Sequence, residues 1–173
     1  ILDVHGRLAG IVVVALDSGG LIAPYDSSVL GRHGFVMSVG LDGMARGGVV
    51  GVVKHMPGHG RGVVDSHYEL PVVKASDAEL ERDIEPFRTL AGAPMGMTCH
   101  VVFEAWDTEH PATLSPTVIA DVIRGRIGFD GLLMTDDIDM KALSGTAGEK
   151  AAAGIAAGCD VALDCWARMD EMI

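Results

Sequence analysis

The stretch VVKHMPGHGRGVVDSH, residues 52–67, concentrates side chains that could do chemistry. Three histidines, one lysine and one aspartate fall within it: His55, His59, His67, Lys54 and Asp65. Pro57 lacks a backbone N–H and the glycines favour irregular backbone, so much of the stretch cannot form a regular element. We therefore expect these groups on a loop that follows an apolar strand.

The Asp65-Ser66-His67 triplet has the composition of a proton-transfer pair. An aspartate near a histidine can orient the imidazole ring and raise its basicity. A loop can also carry both residues without any chemical role, and the triplet alone leaves the two interpretations open.

Two further sets of polar residues follow apolar runs. Lys54 and His55 end the run GVVGVVKH, and a lysine at a buried strand end needs a partner such as a substrate hydroxyl or a carboxylate. Asp136 and Asp137 end the run FDGLLMTDD. Adjacent carboxylates on a strand point in different directions, so at most one of them should face a cleft directly. Taken alone, such an aspartate is more often a helix N-cap than a nucleophile.

The histidine spacing also raises the possibility of a metal site. His55 and His59 are four residues apart, as zinc ligands on one helical face are, but Pro57 and Gly58 exclude a helix there. A loop could still hold zinc, or His59 could hydrogen-bond the loop backbone and hold the turn. A metal-dependent hydrolase remains an alternative, with these ligands: His55, His59, His100 and Asp136. Because no known ligand pattern is complete, we expect no metal or other cofactor.

Short apolar runs alternate with helix-like segments along the chain. Four runs are predicted strands: 48–55, 93–100, 129–137 and 158–165. The opening ILDV resembles the tail of another strand. Polar residues fall at the carboxyl ends of the strands, among them His55, His100, Asp136 and Asp164. In a (β/α) barrel that edge is the active-site face, although a doubly wound sheet would show the same alternation.

Three helices are predicted between these strands from their end signals. Ser76 and Glu79 form a capping-box pattern before a helix that Pro86 interrupts or restarts. The Ser115-Pro116 pair starts a second helix that stops at Gly128, and Thr146 with Glu149 starts a third that ends at Gly158. The repeated order of strand, helix and strand predicts a parallel α/β sheet.

The composition of the chain argues against several classes of function. The 173 residues carry a formal charge of −11, which disfavours binding to nucleic acid. No polybasic stretch indicates a membrane surface, and no apolar run approaches the roughly 20 residues that span a bilayer. We see no signal peptide at the start. The three cysteines, Cys99, Cys159 and Cys165, are expected to be buried thiols in a reducing compartment.

Six segments together form a specific pattern: KHMPGHG, DSH, MTDDIDMKAL, MTCHVVFEAWD, PATLSPTVI and GCDVALDC. The combination resembles the bacterial β-N-acetylglucosaminidases of glycoside hydrolase family 3, the NagZ type. The resemblance runs from Gly47 to about Met172. The glucosidase branch of the family shares the Lys-His pair but resembles this turn and histidine loop poorly.

The resemblance implies a retaining exo-glycosidase on a (β/α) TIM-type barrel. It makes Asp136 the nucleophile and His67 the general acid/base, paired with Asp65 on a mobile loop. Lys54 and His55 become ligands of sugar hydroxyls. A retaining glycosidase needs one carboxylate and a second group that protonates the leaving oxygen. A histidine that titrates near neutrality can do that work.

The resemblance also implies a substrate and a location. The substrate would be a muropeptide or disaccharide with terminal β-N-acetylglucosamine, cleaved during peptidoglycan recycling in the bacterial cytoplasm. A substrate-binding arginine is expected roughly thirty residues before Lys54, where the chain has Pro24. Arg32 lies nearby in a different context and is the candidate.

The chain departs from the family in length and at its start. A closed eight-stranded barrel needs on the order of 250 residues, and this chain has 173. We expect residues 1–173 to form a single partial barrel that lacks its first strands, with an atypical segment at 1–46. A catalytically inactive barrel remnant is therefore a further alternative.

Overall fold

The computed structural model describes residues 50–165, and from Val52 onward these belong to one compact unit. Residues 1–49 and 166–173 lie outside the described part. The strand expected at ILDV, the atypical segment 1–46 and the candidate Arg32 all fall there and stay predictions.

Parallel strands form the centre of this unit. Six strands follow one another along the chain: β1 (Val52–Met56), β2 (Val72–Val73), β3 (Met95–Thr98), β4 (Val102–Phe103), β5 (Leu132–Asp137) and β6 (Val161–Leu163). Four of them make one sheet in the order β1-β3-β5-β6, and every neighbouring pair is parallel. Three of them lie inside the runs predicted as strands, and β1 extends one residue past the run 48–55. The parallel α/β class is thereby confirmed for the described residues.

A second sheet consists of only β2 and β4, which are also parallel. The sequence analysis missed it, because two residues are too few to show a period. The described helices are α1 (Asp77–Asp83), α2 (Glu85–Thr89), a 3₁₀ turn (Ala112–Leu114), a π-helix (Val118–Ile127) and α3 (Ala147–Ala157). None of the helices within residues 50–165 is long and apolar enough to cross a membrane.

The predicted helix ends are confirmed. Capping boxes join Ser76 to Glu79 before α1 and Thr146 to Glu149 before α3. Pro86 restarts the chain as α2. The hydroxyl oxygen of Ser115 accepts the N–H of Val118 at 3.1 Å, as expected of a helix start.

The helix that follows Ser115 differs in type from the expectation. Its main part is a π-helix, and the Gly128 N–H donates to the carbonyl of Ile123, five residues earlier. Gly128 ends the helix at φ 78°, in the left-handed region. An apolar stripe indicates that a helix forms, but it does not separate an i−4 hydrogen-bond ladder from an i−5 ladder.

The core beneath the sheet is built around one aromatic ring. Phe129 is fully buried. A Cβ atom added at Gly96 or at Gly131 would lie 2.8 Å from its ring. These two glycines therefore make room for the phenyl ring. Of the three cysteines, Cys99 and Cys159 are buried as expected, but Cys165 is exposed and that part of the expectation is wrong.

Helix α3 supports β5 through a close contact at a glycine. A Cβ at the buried Gly154 would lie 2.8 Å from Cγ2 of Thr135, the residue before Asp136, whereas Gly148 on the same helix has open space around it. We expect Gly154→Ala to lower the free energy of unfolding by about 1–3 kcal/mol through overpacking. Gly148→Ala should raise it by about 0.5 kcal/mol. Urea unfolding of both variants checks this, and equal effects would contradict the contact.

Candidate active site

A cavity of about 450 Å³ lies at the carboxyl ends of β1 and β5. Its lining residues come from β1, the following loop, the end of β5 and the turn after it: Lys54, His55, His59, Gly60, Asp65, Ser66, His67, Asp136 and Met140. The structure thus brings together five of the six residues that the sequence analysis selected. The sixth, Arg32, lies outside the described residues.

The two aspartates at the end of β5 point to different places. Asp136 lines the cavity and is largely buried. Its Oδ1 accepts the backbone N–H of Asp137 at 2.9 Å. The carboxylate of Asp137 instead accepts the backbone N–H groups of Asp139 at 3.1 Å and Cys165 at 3.2 Å. Asp137 thereby fixes the chain after β5, and Asp136 is left to face the cavity.

The end of β1 presents Lys54 and His55 to the same cavity. His55 Nε2 lies 3.6 Å from Oδ2 of Asp136, and the His55 ring meets the His59 ring edge-on with centroids 5.7 Å apart. Burial lowers the pKa of His55 to about 4, although the nearby Asp136 carboxylate acts in the opposite direction. At neutral pH His55 is therefore an uncharged hydrogen-bonding group.

The loop after β1 carries the Asp65–His67 pair, which is largely exposed. One carboxylate oxygen of Asp65, Oδ1, accepts both the backbone N–H of His67 at 2.9 Å and its ring Nδ1–H at 2.7 Å. The backbone hydrogen bond, together with the ring contact, lowers the pKa of Asp65. With Nδ1 engaged, the Nε2 atom of His67 is the ring nitrogen left for a bound molecule.

His59 holds this loop to the end of the strand. Its Nε2 is hydrogen-bonded to the hydroxyl of Ser66 at 3.0 Å. Ser66 stands between Asp65 and His67 in the sequence and, unlike them, is buried. The backbone N–H of Lys141 donates to the carbonyl of His67 at 3.3 Å, which ties the loop to the turn after β5. His59 lines the cavity and also supports its wall.

The alternative metal site is not assembled. His100 is fully buried, and its ring nitrogens contact Thr113 Oγ1 at 2.8 Å and the carbonyl of Asp137 at 2.9 Å. It therefore cannot join His55, His59 and Asp136 around one ion. Among residues 50–165 no group of three or more His, Cys, Asp or Glu side chains is arranged to hold a metal.

Sequence reasoning missed three lining residues: Gly60, Ser66 and Met140. Met140 follows Asp136 by four residues, within MTDDIDM. From the sequence alone, an apolar residue at this position could equally pack in the core or line a cavity. Ser66 lies between two residues that were selected, and its polar type gave no reason to expect that it would be buried.

The family model described as "Glycosyl hydrolase family 3 N terminal domain" matches residues 26–172. The chain therefore belongs to glycoside hydrolase family 3. The match begins earlier than the expected Gly47.

Known relatives support the same placement. A β-hexosaminidase of Chromobacterium violaceum is 44% identical over 128 residues, which are 71% of this chain and 36% of the relative. A solved family 3 β-N-acetylglucosaminidase from Paenibacillus is 39% identical with a TM-score of 0.68, covering 72% of this chain and 25% of that one. NagZ from Neisseria gonorrhoeae, in complex with N-trifluoroacetyl-D-glucosamine, is 39% identical with a TM-score of 0.66, covering 76% and 39%. The chain thus spans about a third of the curated relative.

The burial of His55 generates a prediction about pH. Its pKa in the folded chain is about 4 against 6.5 for an unperturbed histidine, so the unfolded chain binds a proton between these values and the folded chain does not. Stability should therefore fall as pH drops from 6.5 towards 4. His55→Gln should remove about 2 kcal/mol of that fall, after allowance for solvent that reaches the ring. Urea unfolding at pH 7 and pH 4.5 measures the difference.

Burial also lowers the pKa of His100, so a smaller slope of the same sign should remain in the His55 variant. A ring titration of His55 by NMR with its midpoint near 6.5 would contradict the assignment.

Proposed function

We propose that this chain carries the catalytic groups of a retaining β-N-acetylglucosaminidase. The observation that carries the proposal is that Asp136 and the Asp65–His67 pair line one cavity, together with Lys54 and His55. Membership of family 3 and the names of its relatives support the same activity. The substrate would be a muropeptide or disaccharide that ends in β-N-acetylglucosamine.

In the first step, Asp136 attacks the anomeric carbon and forms the glycosyl-enzyme. Oδ1 is occupied by the Asp137 N–H, so we assign bond formation to Oδ2. His67, protonated at Nε2, donates its proton to the leaving oxygen. Asp65 stabilises the imidazolium through the 2.7 Å contact at Nδ1.

In the second step, His67 is the base. Its neutral Nε2 takes a proton from water, and the water oxygen attacks the anomeric carbon and displaces Asp136. Asp65 keeps the proton on Nδ1 throughout, so the same nitrogen serves both steps. A histidine suits this exchange because its unperturbed pKa lies close to neutrality.

Lys54 and His55 would bind the hydroxyl groups of the sugar. The ammonium of Lys54 donates hydrogen bonds only, whereas the neutral His55 ring can donate and accept. Arg32 remains the candidate for a further substrate contact. We also infer a TIM-type barrel, to which the four-stranded parallel sheet would contribute, and a cytoplasmic role in peptidoglycan recycling.

The nucleophile is tested by Asp136→Asn, which keeps the volume and removes the charge. We expect turnover of a nitrophenyl N-acetylglucosaminide to fall by about 10³-fold or more, with little change in stability. Asp137→Asn is the matched control. Its amide oxygen can still accept the N–H groups of Asp139 and Cys165, so most activity should remain. If Asp137→Asn loses activity and Asp136→Asn does not, the nucleophile is Asp137 and the assignment to Asp136 is wrong.

The acid/base role is tested by comparing leaving groups. A nitrophenolate leaves with little protonation, but a sugar alkoxide needs a proton. His67→Ala should therefore slow cleavage of a natural disaccharide by about 10²–10⁴-fold and slow the nitrophenyl substrate far less. Asp65→Ala should reproduce part of the loss, because the imidazole loses its charge partner and its orientation.

His110 offers a matched control for this experiment. Like His67, it is an exposed histidine whose backbone N–H donates to a nearby aspartate, here Asp107 at 3.0 Å, but it does not line the cavity. His110→Ala should leave both substrates unaffected. Equal losses on the two substrates in His67→Ala would mean that His67 binds sugar or shapes the loop.

A further inference from the structure

The buried His100 has a fixed place between the end of β3 and the end of β5. Its Nε2 lies 2.9 Å from the backbone carbonyl of Asp137, and its Nδ1 lies 2.8 Å from the hydroxyl of Thr113. The ring is fully buried and does not line the cavity. A buried polar ring with both nitrogens engaged can control how its partners are oriented.

The carbonyl of Asp137 belongs to a peptide group that is held at both ends. Its oxygen accepts from His100, and the N–H of Ile138 in the same group donates to the carbonyl of Leu163 at 2.9 Å. The preceding peptide group presents the Asp137 N–H to Oδ1 of Asp136 at 2.9 Å. The backbone of Asp137 therefore links His100 to the Asp136 carboxylate: its carbonyl accepts from His100, and its N–H donates to Asp136.

The hydrogen-bond partners determine which ring nitrogen carries the proton. A carbonyl oxygen only accepts, so Nε2 of His100 must be the donor. Burial disfavours the charged ring and lowers its pKa, so Nδ1 is left as an acceptor. The hydroxyl of Thr113 also donates to the carbonyl of Cys99 at 2.9 Å, so Nδ1 of His100 and that carbonyl share its single proton.

Thr98 completes the sequence of donors. Its hydroxyl lies 2.8 Å from that of Thr113. Because both acceptors already share the one proton of Thr113, the hydroxyl of Thr98 is the donor to Thr113. Thr98, Thr113 and His100 thus form one buried network that ends at the carbonyl of Asp137.

We propose that His100, as the neutral tautomer protonated at Nε2, is a positioning residue that fixes the peptide group of Asp137 and thereby the aim of the Asp136 carboxylate. The inference rests on the proposed role of Asp136 as nucleophile. His100 does not line the cavity, and its hydrogen bond towards the site is made to the backbone of Asp137.

Two substitutions of His100 each remove one of the two hydrogen bonds of the ring and keep the other. The amide of Gln reaches about as far as Nε2, so His100→Gln can keep the bond to Asp137 and loses the bond to Thr113. The amide of Asn reaches about as far as Nδ1, so His100→Asn keeps Thr113 and loses Asp137. Each variant removes one hydrogen bond of the buried ring, so both should lose stability.

Turnover should distinguish the two variants. We expect kcat on a nitrophenyl N-acetylglucosaminide to fall about 10–100-fold in His100→Asn, with KM changed by less than about threefold, because a small misplacement of a reacting group costs that much. His100→Gln should retain kcat within about threefold. Thr113→Val removes the Nδ1 partner, together with the bonds to Thr98 and Cys99, but keeps the Nε2 bond to Asp137, so its kcat should behave like that of His100→Gln. Equal kcat in the Asn and Gln variants would overturn the proposal.

A second measurement needs no turnover. In the 173-residue chain, ¹⁵N NMR should show His100 as a neutral ring protonated at Nε2. Hydrogen exchange of the Asp137 amide should accelerate about tenfold or more in His100→Asn relative to His100→Gln, as its bond to Asp136 loosens. An imidazolium, a ring protonated at Nδ1 or equal exchange in both variants would overturn the placement of His100. If the wild-type chain is inactive but gives the expected spectra, the proposed function is refuted and the placement of His100 is not.

Discussion

Parallel pairing of β1, β3 and β5 is the constraint on which the candidate site depends. It brings the carboxyl ends of these strands to one edge of the sheet, but β3 separates the other two. Their backbones are therefore about 10 Å apart, twice the strand spacing. His55 and Asp136 nevertheless approach to 3.6 Å. This contact requires that the end of the middle strand keep its side chains out of the gap, and His100 does so by turning into the core.

The cavity wall has two halves with different physical character. The strand ends supply a largely buried half, in which Asp136 is held by a backbone N–H and faces an uncharged His55. The loop supplies a half in which Asp65 and His67 are mostly exposed. In a displacement reaction, the attacking carboxylate profits from a fixed position, whereas the proton donor must exchange protons with water. Burial on one side and exposure on the other fit these two needs.

Local signals in the sequence were enough to predict much of this arrangement. Apolar runs and caps such as Ser76 with Glu79 depend on neighbouring residues only, and the strands of the four-stranded sheet and the helix starts were predicted from them. The inward turn of His100 was not predictable, because its partners lie 13 and 37 residues away in the chain. The π-helix was missed for a similar reason, since an apolar stripe does not reveal which carbonyl each N–H selects.

The charges of the loop contribute little to holding it in place. An exposed pair such as Asp65 with His67 is screened by solvent and contributes too little to order a glycine-rich segment. The contacts that fix the loop involve Ser66, which is buried and bonded to His59, and the backbone of Lys141. Because these contacts do not depend on the charge of His67, the ring can gain and lose a proton without releasing the loop from the cavity. In the proposed mechanism, this division between the groups that hold the loop and the ring that exchanges protons would let one histidine serve as both acid and base.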